Sequence, residues 1–296
     1  MQIFLTGATG FAGSEVRTAL VNGGHSVTAI VRRAQPLENC RTITGDLSAP
    51  EGLREAVREA EAVVHLACSR EMGQAAVESD VAGTAFLLDE WKRGPFIASS
   101  TGSLQIGRGV PLKEDMPLFI HTGYGFGKFC NEFQVRMATA TQGRGPGVSL
   151  RPGVLFGAGA RRNDRQILGL VYKHCIAGTK FLFYSEEGLE LYGSSFLGTE
   201  DFGRAVVSAL TLKVSGAFNV ASGFCTWRQL VETINRMAGT TAQCCVNQSG
   251  PPDAGEYALP QARRCLDDQK FRQQTGFKPK QELEELVEAY LKAERG

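Results

Sequence analysis

Three glycines set three residues apart, Gly7, Gly10 and Gly13, interrupt the chain between an apolar run, Gln2 to Leu5, and a helical pattern over residues 11–22. Glycine admits a tight turn and lets backbone come close to a neighbouring group, while the helix that follows offers free N–H groups and the positive end of its dipole. A strand, turn and helix so arranged suits a pyrophosphate. A turn serving shape alone is the competing reading, and with 35 glycines among 296 residues the spacing by itself says little. Its placement at the end of a first strand and the start of a first helix favours a nucleotide.

The first half repeats that unit. Candidate strands are Gln2 to Leu5, Ser26 to Val31, Arg41 to Thr44, Ala62 to Leu66, Phe96 to Ala98 and Val148 to Leu150, with helical stretches over 11–22, 50–59, 72–91 and 122–141. Val16, Ala19, Leu20 and Gly23 recur at helical spacing, and Gly23-Gly24 marks a C-terminal stop. Strands alternating with helices predict an α/β fold with a doubly wound parallel sheet. After residue 157 the rhythm loosens through the Gly- and Arg-rich Gly157 to Asp164, then an apolar stretch from Gln166 to Ile176. The helical Asp201 to Leu212 and the strand-like Gly216 to Ala221 predict a return to the first sheet before an amphipathic Glu282 to Ala293. The expected organisation is a dinucleotide-binding domain over 1–157, rejoined by 201–222, and a smaller substrate-binding region over 158–296.

Thirty-two basic against 31 acidic residues give a net charge of +1, so no global field draws the protein to nucleic acid or an acidic membrane. A small-molecule substrate fits better. The opening MQIFLTGATG has no basic leader region and no stretch nears the ~18 apolar residues of a membrane span, so a cytoplasmic protein is expected. Eight cysteines lack any CxxC or Cys/His ligand spacing, and are read as reduced thiols with no metal.

The end of the second strand bears on which dinucleotide is bound. An acid about 20 residues past the glycines would bond the ribose 2′-hydroxyl of NAD, whereas arginine suits the 2′-phosphate of NADP. Ala29-Ile30-Val31 runs into Arg32 and Arg33 with no carboxylate, so NADP is expected, with NAD the alternative. An exposed basic strand end is the competing reading. Further on, Tyr124 and Lys128 stand four apart at the start of a predicted helix and so share a face. A nearby cation favours phenolate and lowers a tyrosine from its usual ~10, making Tyr124 a general acid or base.

Taken together, the chain resembles the extended short-chain dehydrogenase/reductase family, also called the NAD-dependent epimerase/dehydratase family. The resemblance rests on Gly7 to Gly13, Gly45-Asp46-Leu47, Val63-Val64-His65-Leu66-Ala67, Asp80-Val81-Ala82-Gly83-Thr84, Ser99-Ser100-Thr101, Glu114 and Pro117, Tyr124xxxLys128, and Arg151-Pro152-Gly153-Val154-Leu155-Phe156-Gly157. It implies a Rossmann sheet on which Tyr124 exchanges the proton at the substrate oxygen and Lys128 lowers its pKa while holding the nicotinamide ribose. It implies that Thr101, or failing it Ser100, hydrogen-bonds the same oxygen as charge develops. It further implies cofactor contacts from Gly7, Thr9, Gly10, Phe11, Ala12, Gly13, Arg32, Arg33, Asp46, Leu47, Leu66, Ala67, Pro152 and Val154, and a homodimer through the helices at 72–91 and 122–141.

The departures from the family pattern shape the expected reaction. Gly102-Ser103 replace the acidic pair that family dehydratases carry after the threonine, which argues against dehydration. Val154 stands where sugar-nucleotide epimerases usually have asparagine, and the Arg-Pro-Gly-Val form with Arg32 and Arg33 looks more like ketone and aldehyde reductases. The leading expectation is an NADP-dependent oxidoreductase interconverting a carbonyl and an alcohol; the alternatives are an NAD-dependent sugar-nucleotide epimerase and a non-catalytic NADP-binding sensor. His121 reaches substrate or is structural; Phe181, Phe183, Tyr184 and Tyr192 line a pocket or form core; Arg161, Arg162 and Arg165 bind an anionic tail or stay solvated. The loop from Thr101 to Tyr124 is long enough for a lid.

Overall fold

The computed structural model describes residues 1–69, 73–107, 110–158, 166–247 and 250–295. Its centre is a seven-stranded sheet in which every pairing is parallel. Six of the strands are β1 (Gln2–Thr6), β2 (Ser26–Val31), β3 (Arg41–Thr44), β4 (Ala62–His65), β5 (Phe96–Ser99) and β6 (Gly147–Pro152), and the seventh is Gly216–Val220. The order runs from Gly216–Val220 through β6, β5, β4, β1 and β2 to β3. The chain therefore starts in the interior of the sheet and winds outward both ways, the doubly wound arrangement whose ligands lie beyond the carboxyl ends of the strands.

A parallel strand covered on both faces has no reason to alternate polar with apolar residues. Accordingly β4 and β6 are buried along their whole lengths. Ile3 and Leu5 of β1 face one layer, where they meet Val16 and Leu20 of α1 (Gly13–Asn22) and Phe202, Ala205 and Val206 of the helix Thr199–Ala209. Phe4 between them faces the other layer, with Val57 of α2 (Arg54–Glu59), Leu87 of α3 (Gln74–Glu90) and Val135 of α4 (Gly123–Gln142). The two-residue period of a strand sorts its side chains between the two cores. The seventh strand joins the first of them through Phe218 and Val220, as do Phe271 and Phe277 from much later in the chain.

A third core lies in the C-terminal part. Val154–Phe156, Gly193–Gly198, Gly223–Thr226 and Arg263–Arg264 form a small mixed sheet, and Lys180–Phe183, Gln243–Val246 and Glu256–Ala258 a parallel one. Phe181 and Phe183 are fully buried there, on the core side of the two readings given above, together with Trp227, Leu230 and Ile234 of the helix Trp227–Ala238.

Candidate active site

The glycine loop is shaped by backbone crowding. Gly7 has φ +76°, and a Cβ on it would fall 2.7 Å from the Ala67 nitrogen; a Cβ on Gly13 would fall 1.9 Å from the Gly7 oxygen. Only glycine fits either place. α1 then starts at Gly13 with Ala12 as a cap whose side chain accepts no hydrogen bond, while the Ser14 N–H donates to the Gly10 carbonyl at 3.3 Å. An uncapped helix start over a glycine cradle suits a phosphate group.

Behind the loop runs a buried hydrogen-bond chain. The Thr84 hydroxyl donates to the Asp80 carbonyl at 2.8 Å, so its oxygen accepts from His65 Nε2 at 3.0 Å. His65 Nδ1 must then accept from the Thr6 hydroxyl, 2.7 Å away, and the Thr6 oxygen accepts the backbone N–H groups of Leu66 and Ala67 at 3.2 and 3.1 Å. The ring is neutral. Burial, aided by the Lys128 charge, depresses its pKa to about 3. The chain fixes the ends of β1 and β4 against each other and against α3.

The ends of neighbouring strands are level, with Thr6 opposite His65 and His65 opposite Ala98, so the loops after β1, β4 and β5 open on one edge. Thr101, just past β5, caps the short turn Gly102–Leu104 by accepting the Ser103 N–H at 3.2 Å. Tyr124 and Lys128 come from the first turns of α4, whose start is capped by Thr122 accepting the Gly125 N–H at 3.0 Å. Lys128 Nζ donates to the Ser99 carbonyl at 2.9 Å and lies 5.9 Å from the centroid of the Tyr124 ring. The structure thus brings Thr101, Tyr124 and Lys128 together. Ser100, the fallback, is buried and donates instead to Glu132.

The electrostatics correct one expectation. Burial pushes the Tyr124 phenol above its ordinary value and outweighs the Lys128 ammonium and the neighbouring Thr101 hydroxyl, which both favour phenolate. Lys128 lowers the phenol in the expected direction, but the net shift is upward. For Lys128, burial alone would depress the pKa, yet the charges of Cys68, Tyr124, Asp80 and Glu132 together raise it and hold the ammonium form. Asp80 is fixed by the Ser69 N–H, which donates to both carboxylate oxygens at 2.8 and 3.1 Å.

The other named residues fall around this edge. Arg32 and Arg33 are exposed just past β2, and Asp46 is exposed past β3, its carboxyl held below the usual range mainly by the Ser48 N–H and hydroxyl and less by Arg32. Leu47 lies against Gly83 of α3. Thr9 is exposed, Phe11 and Ala12 are half-buried, Pro152 closes β6, and Val154 opens the strand paired to Phe196. His121 is exposed and stacks on Phe119 with ring centroids 5.4 Å apart. The loop from Thr101 is tied down at several points: Phe119 N–H donates to Leu104 O, Leu112 N–H to Cys265 O and Asp267 N–H to Leu112 O. Those bonds hold residues 104, 112 and 119 of the loop in place. Arg161, Arg162 and Arg165 lie outside the described residues.

Sequence reasoning passed over two groups. Arg151 makes a bidentate, nearly solvent-free pair with Glu132, 2.8 and 2.7 Å, joining β6 to α4 beneath Ser100. Arg264 lines a cavity of about 60 Å³ with Thr101, Ser103, Val154 and Ser194. No local pattern links residue 264 to residue 101; the small sheet does.

With this geometry in place, comparison with known proteins supplies the class. The model of the NAD dependent epimerase/dehydratase family matches residues 3–221, and the chain belongs to that family. A stretch of 73 residues is 34% identical to an uncharacterized protein of Saccharomyces cerevisiae, and the match spans 24% of that relative's length. Among solved structures, MoeE5 in complex with UDP-glucuronic acid and NAD superposes with TM-score 0.80 at 20% identity, covering 100% of this chain and 99% of the other. The UDP-glucuronic acid 4-epimerase of Bacillus cereus with UDP-glucuronic acid and NAD gives 0.80 at 21% identity, with the same coverage. The UDP-glucose 4-epimerase of Thermotoga maritima with UDP-glucose gives 0.80 at 20%, again over 100% and 99%. At such identities the likeness is one of fold, and the cofactor named with the first two is NAD.

Proposed function

We propose that the protein is an enzyme that moves a hydride between a nicotinamide dinucleotide and a substrate carbon bearing hydroxyl or carbonyl oxygen. The observation that carries this reading is the meeting of Thr101, Tyr124 and Lys128 on the strand edge that also holds the glycine loop. The backbone of Gly7 to Gly13 would take the pyrophosphate, with Thr9, Phe11 and Ala12 at its sides; Asp46 and Leu47 would flank the adenine; Leu66, Ala67, Pro152 and Val154 would flank the rest of the cofactor. When bound, the cofactor supplies the hydride acceptor or donor. Tyr124 takes or returns the hydroxyl proton, Thr101 donates to the same oxygen, and the Lys128 ammonium opposes the upward push of burial on the phenol. Because burial sets the phenol high, the ammonium opposing it has to do more here than at an exposed site.

Two readings of the hydride's fate stand on different observations. Its return to the same carbon, as in a sugar-nucleotide epimerase using NAD, is supported better by the three solved neighbours described above, each named with a UDP-sugar. Net carbonyl–alcohol interconversion with NADP is supported by Arg32 and Arg33 lying exposed past β2, where a 2′-phosphate would find them. Titration with NADH and NADPH, followed by incubation with UDP-glucose and UDP-glucuronic acid and with a carbonyl panel, separates the two. Epimerised sugar nucleotide without net cofactor change selects the first; cofactor consumption with a clear NADPH preference selects the second. Phe126, Phe133 and Met137, exposed 49%, 47% and 43% on one stripe of α4, support a homodimer through that helix.

A further inference from the structure

Arg151 has Glu132, and the half-exposed Arg272 has Asp268 at 2.8 Å. Arg264 differs. It makes no ion pair among the described residues, and its buried Nε has no hydrogen-bond partner. Burial lowers its pKa with no carboxylate acting against the effect. Arg264 is half-buried, and an anion at its buried, unpartnered Nε would supply the hydrogen bond that the protein does not.

The side chain is placed by its strand. Arg263–Arg264 pairs in parallel with Gly193–Ser194, and neighbouring residues of a strand face opposite ways. Arg263 lies over the Phe224 ring at 5.1 Å from its centroid. Arg264 faces the cavity that Thr101 and the hydroxyls of Ser103 and Ser194 also line, with Leu266 and Val154 as its apolar part. At about 60 Å³, against roughly 300–1,000 Å³ for sites enclosing whole ligands, this space takes only the reacting end of a substrate.

We infer that Arg264 selects substrates carrying a carboxylate within two carbons of the carbon whose oxygen meets Thr101 and Tyr124. The inference rests on the proposed hydride-transfer reading, because that reading marks Thr101 as the site of the reacting oxygen. One chemistry covers two sources: a small hydroxy or oxo acid, and a nucleotide-linked uronic acid, in which the C4 hydroxyl carbon and the carboxylate are separated by one carbon. Arg264 offers the planar fork that a carboxylate fits, and Ser103 lines the same cavity with a hydroxyl beside it.

The experiment measures equilibrium binding of matched acid and neutral probes to cofactor-loaded protein, using UDP-glucuronic acid against UDP-glucose and 3-hydroxybutanoate against butan-2-ol. In at least one pair the acid binds wild type about tenfold or more tightly than its neutral mate, the ratio expected of a charge-assisted bidentate bond. Arg264→Gln removes that preference, Arg264→Lys restores part of it, and cofactor affinity stays within about twofold in both, which also shows that they fold. The pair that shows the preference identifies the source. Equal binding of acid and neutral probes in both pairs, or a preference that survives in Arg264→Gln, overturns the role of Arg264 while cofactor binding stands. Failure of the wild type to bind either NADH or NADPH overturns the hydride-transfer reading and this inference with it.

Discussion

Two regions meet at the candidate site, and they treat buried charge in opposite ways. On the side of the seven-stranded sheet, three buried groups at the site have partners: Lys128 the Ser99 carbonyl, Arg151 the Glu132 carboxylate, His65 the hydroxyls of Thr6 and Thr84. On the side of the small C-terminal sheet, Arg264 has none among the described residues. Partnered groups cannot move without cost, so the first side is fixed machinery. An unpartnered one gains by binding, so the second side is where recognition would reside.

The contrast can be broken on either side. Tyr124→Phe should cut turnover by about 10²–10⁴-fold, the range for loss of a general acid or base, while leaving nucleotide affinity nearly unchanged. Steady-state kinetics beside cofactor titration check this, and undiminished turnover would move the chemistry off the sheet edge. Glu132→Ala leaves the Arg151 charge buried alone and should cost about 3–5 kcal/mol in urea unfolding. A much smaller loss would mean that the first side is not as rigidly paired as the geometry implies.

His65 sharpens the comparison through pH. The folded ring stays neutral down to about 3, whereas in the unfolded chain it protonates near its ordinary value of 6.5. Protons therefore favour the unfolded state between those limits: stability is insensitive to this group above 6.5 and falls by about 1.4 kcal/mol per unit as pH drops below it. Urea melts at pH 7 and pH 5 in wild type and His65→Gln should show the steeper acid loss in wild type only. Smallest, Thr226→Ala removes a capping box, in which Thr226 and Gln229 satisfy each other's backbone, at the start of Trp227–Ala238. It should cost about 1 kcal/mol, read as a lower melting temperature without loss of cofactor affinity.

The two regions also differ in how plainly they are written. Strands of the main sheet are short apolar runs such as Ala62–His65, and glycine punctuates them, so their order along the chain was legible to within a residue or two. That Thr101, Tyr124 and Lys128 come together was legible in their motifs; the upward shift of the phenol was not, since burial is a property of the whole fold. In the C-terminal part, Gly193–Gly198 is completely buried yet is built from two glycines, two serines, a phenylalanine and a leucine, a composition with little strand preference. Tertiary packing makes it a strand, and with it the contact between Arg264 and the site. Trp227–Ala238 did carry a signal, Thr226 three residues before Gln229 and Gly239 as a left-handed stop at φ 72°.

The chain from Asp80 through Thr84, His65 and Thr6 to Ala67 has a direction. Each hydroxyl hands its hydrogen one way only, and the ring's tautomer is dictated by a helix carbonyl well removed from the nucleotide loop. Thr84→Val would therefore unseat a loop it never touches, because the imidazole would lose the acceptor that tells it which nitrogen carries the hydrogen. A residue with its back to the chemistry thus keeps time for the floor on which the chemistry stands.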